Sequence, residues 1–151
     1  MTPRDAMNQA LKDAVREHLR PRGFTGAMPH LRRRSSQQIC LLSIQFYSSG
    51  GSFVAEVAEC GPDGYETSWG ERKIPQKVTA QDIPDPRPRL GSPNFPEGDH
   101  WFIFGSRNYE PGAAVVHPRE RYDAIATHLI QLIDEQAEPF WREQLNARTS
   151  A

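Results

Sequence analysis

The chain has 151 residues and a formal net charge of −1, a length that suits one domain and a balance without the basic surplus of a charge-driven nucleic-acid binder. No run approaches the roughly 18 apolar residues of a membrane span. Two cysteines are too few for a disulfide-stapled secreted scaffold, so a soluble, cytoplasmic protein with a core of its own is expected.

The first predicted element is a helix over residues 2–20. Thr2 can cap it, Pro3 suits its first turn, and Asp5 favours the positive end of its dipole. Met7, Ala10, Leu11, Ala14, Val15 and His18 recur at spacings of three and four, one stripe of a helix, and Pro21 and Gly23 stop it. The stretch "HLRRR", His30 to Arg34, followed by "SSQQ", reads as a strand and a turn feeding an antiparallel sheet.

The strongest pattern is "LLSIQFYSSGGSFVAEVAEC", Leu41 to Cys60, in which two alternating runs flank a turn. Cys40, Leu42, Ile44 and Phe46 share one strand face, and Phe53, Ala55 and Val57 share a face of the next. Pairing Ser48 with Gly51 sets Phe46 opposite Phe53, Ile44 opposite Ala55 and Leu42 opposite Val57. A slip of one residue would set Ile44 against Glu56, which buries a carboxylate or exposes the apolar face. This register puts Cys40 opposite Glu59 and Cys60 on the other face, so a Cys40–Cys60 disulfide is not expected. One buried face accounts for the alternation, and "SSGG" is read as a turn whose glycines allow positive φ.

Residues 75–98 carry six prolines, which excludes a regular helix and most ladder pairing. A connection this long is often functional or mobile. "DHWFIFG", Asp99 to Gly105, reads as a further short strand. From Pro118 a second helix is predicted, with Tyr122, Ile125, Ala126, Leu129, Leu132, Ile133 and Ala137 as its apolar stripe. Pro139 ends it and starts a shorter helical turn with Phe140, Trp141 and Leu145. The expected fold class is α+β: one domain over residues 1–151, an antiparallel β-sheet packed against an N-terminal and a C-terminal helix, with a long proline-rich loop.

The blocks "LRPRGFTG", "HLRRR", "IQFYSSGGSFVAEVA" and "GDHWFIFG", followed by the late apolar helix, give the chain a further reading. In that order they make it resemble the bacterial family known as domain of unknown function 4304 (DUF4304), over about residues 11–142. The resemblance implies a small bacterial α+β protein with helices against an antiparallel sheet. It implies no activity and no catalytic residues.

Candidate chemistry is sparse. The five histidines show no HxxxH or HExxH pair and the cysteines no CxxC, so spacing supports neither a metal site nor a cofactor. Cys40 and Cys60 lie in predicted strands, where a thiol behaves as a small apolar group; Cys60, beside the "GPDG" turn, is the better nucleophile of the two. No GxSxG elbow and no Walker or Rossmann glycine pattern is present. In the basic cluster Arg32 and Arg34 share a strand face with Arg33 on the other, which leaves Arg32 and Arg34 as candidates for an anion or an acidic partner. The large aromatics Trp69, Trp101 and Tyr109, with Asp99 and His100, stand beside turns. They either cover core edges or line a partner-binding groove with the proline-rich loop. Asp99 and His100 are adjacent, so their side chains diverge in a strand and make a poor acid–base pair.

The leading expectation is a non-enzymatic protein-interaction module, of which an immunity or antitoxin-like role is one concrete version. The alternative is a small-molecule or anion binder, or a hydrolase, with a pocket between the sheet and the proline-rich loop using Arg32 or Arg34, His100 and Trp101. Nucleic-acid recognition is disfavoured by charge.

Overall fold

The structure is a computed structural model that describes residues 1–48, 50–105 and 115–150. Helix α1 (Pro3–Ala14) opens on a reciprocal cap: the Asp5 amide donates to Thr2 Oγ1 at 3.1 Å, and the Thr2 amide donates to Asp5 Oδ2 at 2.9 Å. It buries Ala6, Met7, Ala10 and Leu11. The expected single helix over 2–20 then loosens into a π-turn (Val15–Leu19) and tightens into a 3₁₀ turn (Arg20–Arg22).

The C-terminal part repeats this device. Helix α2 (Arg119–Leu132) passes through a π-turn (Ile133–Ala137) into helix α3 (Glu138–Thr149). In both places the residue just before a proline donates five residues back, Arg20 to Val15 O and Glu138 to Ile133 O. A proline ring has no N–H and collides with the carbonyl four residues earlier, and the wider turn removes that collision. Pro139 therefore sits in the first turn of a helix of twelve residues, longer than the short turn expected, because the missing donor costs nothing there.

Five strands form an antiparallel sheet: β1 (Thr25–Ala27), β2 (His30–Arg34), β3 (Ile39–Phe46), β4 (Ser52–Cys60) and, after a two-stranded ribbon of β5 (Tyr65–Glu66) and β6 (Arg72–Lys73), β7 (Phe102–Ile103). The order is β1-β2-β3-β4-β7. The fold is α+β, as expected. The central register is also the expected one, with Phe46 opposite Phe53, Ile44 opposite Ala55, Leu42 opposite Val57 and Cys40 opposite Glu59. Both thiols are free.

One sheet face meets the helices. Leu31, Leu42, Ile44, Phe53, Ala55 and Val57 are buried against Met7, Leu11, Leu19, Tyr122, Leu129, Ile133 and Trp141. Phe53 and Phe102 stack at 4.8 Å between centroids. Trp141 ties the layers together: its Nε1–H donates to Ala58 O at 2.9 Å, and its own carbonyl accepts from Gln38 Nε2 at 2.8 Å. Arg33 points into this layer, 4.9 Å from the Phe24 ring and 5.4 Å from Trp141, with Glu138 2.6 Å away. The expected split of the three arginines between faces thus gives Arg33 a half-buried cation–π pairing on the helix side.

Two expectations need correction. The alternation was to be explained by one buried face, yet β3 and β4 are buried on both. Ile39, Leu41, Ala58 and Cys60 form a second apolar cluster under Val78, Ala80 and Ile83, which come from the proline-rich segment. That segment is a strap rather than a free loop. It crosses this second face and then adds a short rung to β4, with the Val57 amide donating to Pro88 O at 3.0 Å and the Leu90 amide to Ala55 O at 2.8 Å. It then turns onto the helix side, where Leu90 and Ser92 are buried. Gly51 is the other correction. It is required by close approach rather than by positive φ, since a Cβ there would lie 2.6 Å from the Gly105 backbone.

Candidate functional site

The strap carries "PDPRPRL", in which prolines alternate with arginines. An extended backbone puts residues two apart on one side, so Arg87 and Arg89 both face the second side of the sheet. There they meet Glu56, the charged residue of β4 that the register places on this face. Arg89 and Glu56 are directly paired across a β-bridge.

The Glu56 side chain is 6% exposed and accepts from Arg87 Nε at 3.2 Å, with Arg89 Nε 3.7 Å away. Arg87 Nη1 also donates to the carbonyls of Gln81 and Ile83, at 3.0 and 3.2 Å. Arg89 Nη1 reaches Asp99 Oδ1 at 2.8 Å, and this guanidinium holds the Asp99 carboxyl below the usual carboxylate range. One buried carboxylate is thus matched by two cations, which prevents the cost of an unpaired charge.

Arg89 also organises the surface. Its guanidinium lies 5.4 Å from the Trp101 ring, and Trp101 meets Tyr47 edge-to-face at 5.9 Å. Ile103 follows two residues on, opposite Ser52, the residue whose carbonyl accepts from the Tyr47 amide. Tyr47, Trp101 and Ile103 are 42%, 37% and 66% exposed, so the end of the sheet beside the β3–β4 turn presents an apolar and aromatic face with Arg89 at its margin.

The seven candidate residues separate against this frame. Asp99 and Trp101 come together around Arg89. His100 turns the other way: it packs edge-on to Phe102 at 4.7 Å and lies against Gly91, whose positive φ and lack of a Cβ leave room for the ring. The divergence of Asp99 and His100 is real, and Asp99 Oδ1 instead accepts from the His100 amide at 2.8 Å. Arg32 donates from Nε to Val78 O at 3.0 Å and so anchors the strap, while Arg34 ends β2 exposed. Both lie on a strand three positions across the sheet from the Arg89 rung, about 14 Å at the usual inter-strand spacing and further along the strands as well, with the second apolar cluster between. Trp69, 75% exposed, stands on the β5–β6 ribbon with its Nε1–H on Glu71. Tyr109 lies outside the described residues.

Over Ile39, Leu41 and Ala58 the space anticipated as a pocket between sheet and strap is filled by Val78, Ala80 and Ile83, because apolar surface on both sides closes it. The nearest hollow, about 430 Å³, is lined within the strap by Asp85, Arg87, Arg89, Pro96 and Asp99, without Arg32, Arg34, His100 or Trp101. A second hollow of about 450 Å³ lies between the end of β4 and the strap, lined by Glu59, Cys60, Ile83, Asp85, Pro86 and Arg148, again without the four residues expected to line it. Burial pushes the Cys40 and Cys60 thiols up to about 11, so both are protonated at neutral pH and poor nucleophiles. A serine–histidine contact does occur, Ser43 Oγ to His30 Nδ1 at 2.8 Å, but Ser43 is 1% exposed and beyond the reach of a substrate. Among the described residues no group of three or more His, Cys, Asp or Glu is placed to hold a metal ion, and no helix is long and apolar enough to cross a membrane.

Sequence reading missed Glu56, Arg87, Arg89 and Tyr47. The signal for the arginines was present in the period-two spacing of "RPR", and for Glu56 in a carboxylate set between Ala55 and Val57 of an otherwise largely apolar strand.

The family model for Domain of unknown function (DUF4304) matches residues 15–143, most of the chain, which therefore belongs to that family. No curated protein and no solved structure matches it.

Proposed function

We propose that this member of the DUF4304 family is a non-enzymatic protein-interaction module of the bacterial cytoplasm, and that its docking surface is the Tyr47–Trp101–Ile103 end of the sheet. The observation that carries this reading is the exposure of three large apolar side chains, Tyr47, Ile103 and the already seated Trp101. Trp, Tyr and Arg are the residues most often found at energetic centres of interfaces. Trp101 is held between Tyr47 and Arg89 before any partner arrives, which lowers the ordering cost of binding. Arg89 is neutralised by Glu56 and Asp99, so the face suits a mainly apolar surface on the partner with a polar rim. An immunity or antitoxin-like inhibitor is one form such a module takes.

The small-molecule or anion reading has less behind it. Both arginines of the strap hollow already spend donors on Glu56, Asp99 and backbone carbonyls, which leaves little positive field for a ligand. Affinity capture of tagged protein from its native host tests the proposal. Wild type should retain one stoichiometric partner and the Ile103→Asp variant should lose it. A chain that stays monomeric and captures nothing, or a variant that captures equally well, would overturn the reading.

A further inference from the structure

On the other side of the molecule the strap meets the π-turn between α2 and α3. Phe95 and Phe140 form an aromatic floor with ring centroids 6.0 Å apart. Pro96 and Pro139 stand beside it, and Glu135 and Glu143 complete the lining of a groove of about 270 Å³. Gln136 fixes the two walls to each other: its Oε1 accepts from the Gly91 amide at 2.8 Å, and its Nε2 donates to Ser92 O at 3.3 Å. The groove is therefore formed without a ligand.

Its charge is uncompensated. The neighbouring carboxylates Asp134 and Glu138 are paired with Arg22 and Arg33, whereas Glu135 and Glu143 are exposed and have no ion-pair partner among the described residues. A volume near 270 Å³ lies below the usual range for a whole small ligand, about 300 to 1,000 Å³, and suits one long side chain. An apolar aromatic floor takes methylene groups, and two carboxylates at the margin take a cation. Among cationic side chains the guanidinium fits better than an ammonium, because its planar fork can bond two carboxylates and lie on a ring.

We infer that this groove binds an arginine side chain presented by an extended segment of a partner protein. The inference is independent of the Tyr47–Trp101–Ile103 surface.

The test uses the full chain and the peptide acetyl-Leu-Arg-Pro-amide, followed by amide chemical shifts, with Gln and Glu counterparts in place of the arginine. The arginine peptide should move the signals of Gln136, Phe140 and Glu143. It should bind about fivefold more tightly than the Gln peptide, the effect of two partly exposed ion pairs, and weaken with added salt. The Glu peptide should not bind. The double variant Glu135→Gln, Glu143→Gln should lose the advantage of arginine, while Glu120→Gln, at the exposed start of α2, should keep it. The spectrum of each variant reports its fold directly. Equal binding of the Arg and Gln peptides, shifts confined to other residues, no shifts at millimolar peptide, or an unchanged double variant would each overturn the inference.

Discussion

The two faces of the central sheet are both buried and are covered by opposite strategies. On one, α1, α2 and α3 lay regular apolar stripes against Leu42, Ile44, Phe53, Ala55 and Val57. On the other, an irregular strap covers Ile39, Leu41, Ala58 and Cys60 with three apolar side chains, then changes to an ionic contact at Glu56, Arg87 and Arg89. The helical side gains most from apolar area removed from water, with the ion pairs Arg33–Glu138 and Arg148–Glu59 at its margin. The strap side depends at one end on charge matching, where the loss of either sign has unequal consequences. A regular cover tolerates a narrow set of side chains everywhere; an irregular one concentrates its risk in a few residues.

The sharpest way to break the helical side is Trp141→Ala, which empties a site 1% exposed and leaves Ala58 O without its donor. A loss of about 3 to 5 kcal/mol is expected in urea unfolding. On the strap side, Arg87→Met with Arg89→Met should cost about 2 to 3 kcal/mol, since Glu56 is left charged and buried. Glu56→Gln should cost only about 1 kcal/mol, because the amide still accepts a hydrogen bond and both arginines keep other partners. If the glutamine variant proved the more damaging, the strap would not be held by charge matching.

A pH series comes next in size. Burial holds His30 and His100 below the usual histidine value of 6.5, with Arg32 and His128 adding to the effect and Asp82 and Asp99 opposing it. The unfolded chain then takes up protons first as pH falls through 6.5, so stability present above that value declines below it. The urea midpoint should drop between about pH 7.5 and about pH 5.5, and His30→Gln with His100→Gln should flatten the slope. The smallest expected effect on stability is that of Ile103→Asp, within about 0.5 kcal/mol, since the side chain is largely in water. A large loss there would mean that Ile103 supports the fold and would remove it from the docking surface.

Much of the fold was legible because its periods are short. Alternation over Cys40–Phe46 and Phe53–Val57 named the register, and the stripe from Tyr122 to Ala137 named the second helix. Two features resisted. The π-turns before Pro21 and Pro139 follow from a missing donor and a steric clash, yet nothing in a 3.6-residue stripe announces the wider turn. The second buried face also hid in plain sight: Ile39, Leu41, Ala58 and Cys60 are apolar, but their cover comes from a segment rich in proline that has no period to read. Of the candidate site, Asp99 and Trp101 were found from aromatics beside turns. Arg89 went unnoticed because its partners lie ten and thirty-three residues away in the chain.

By itself the amino-acid order determined which residues lie back to back on each strand and helix, since that depends only on backbone geometry within a few residues. Only the tertiary structure decided which arginine meets which carboxylate, which aromatic rings stay in water, and that a proline strap seals the far side of the sheet. Those outcomes rest on contacts between distant segments, where electrostatic pairing and apolar closure are settled by the folded whole.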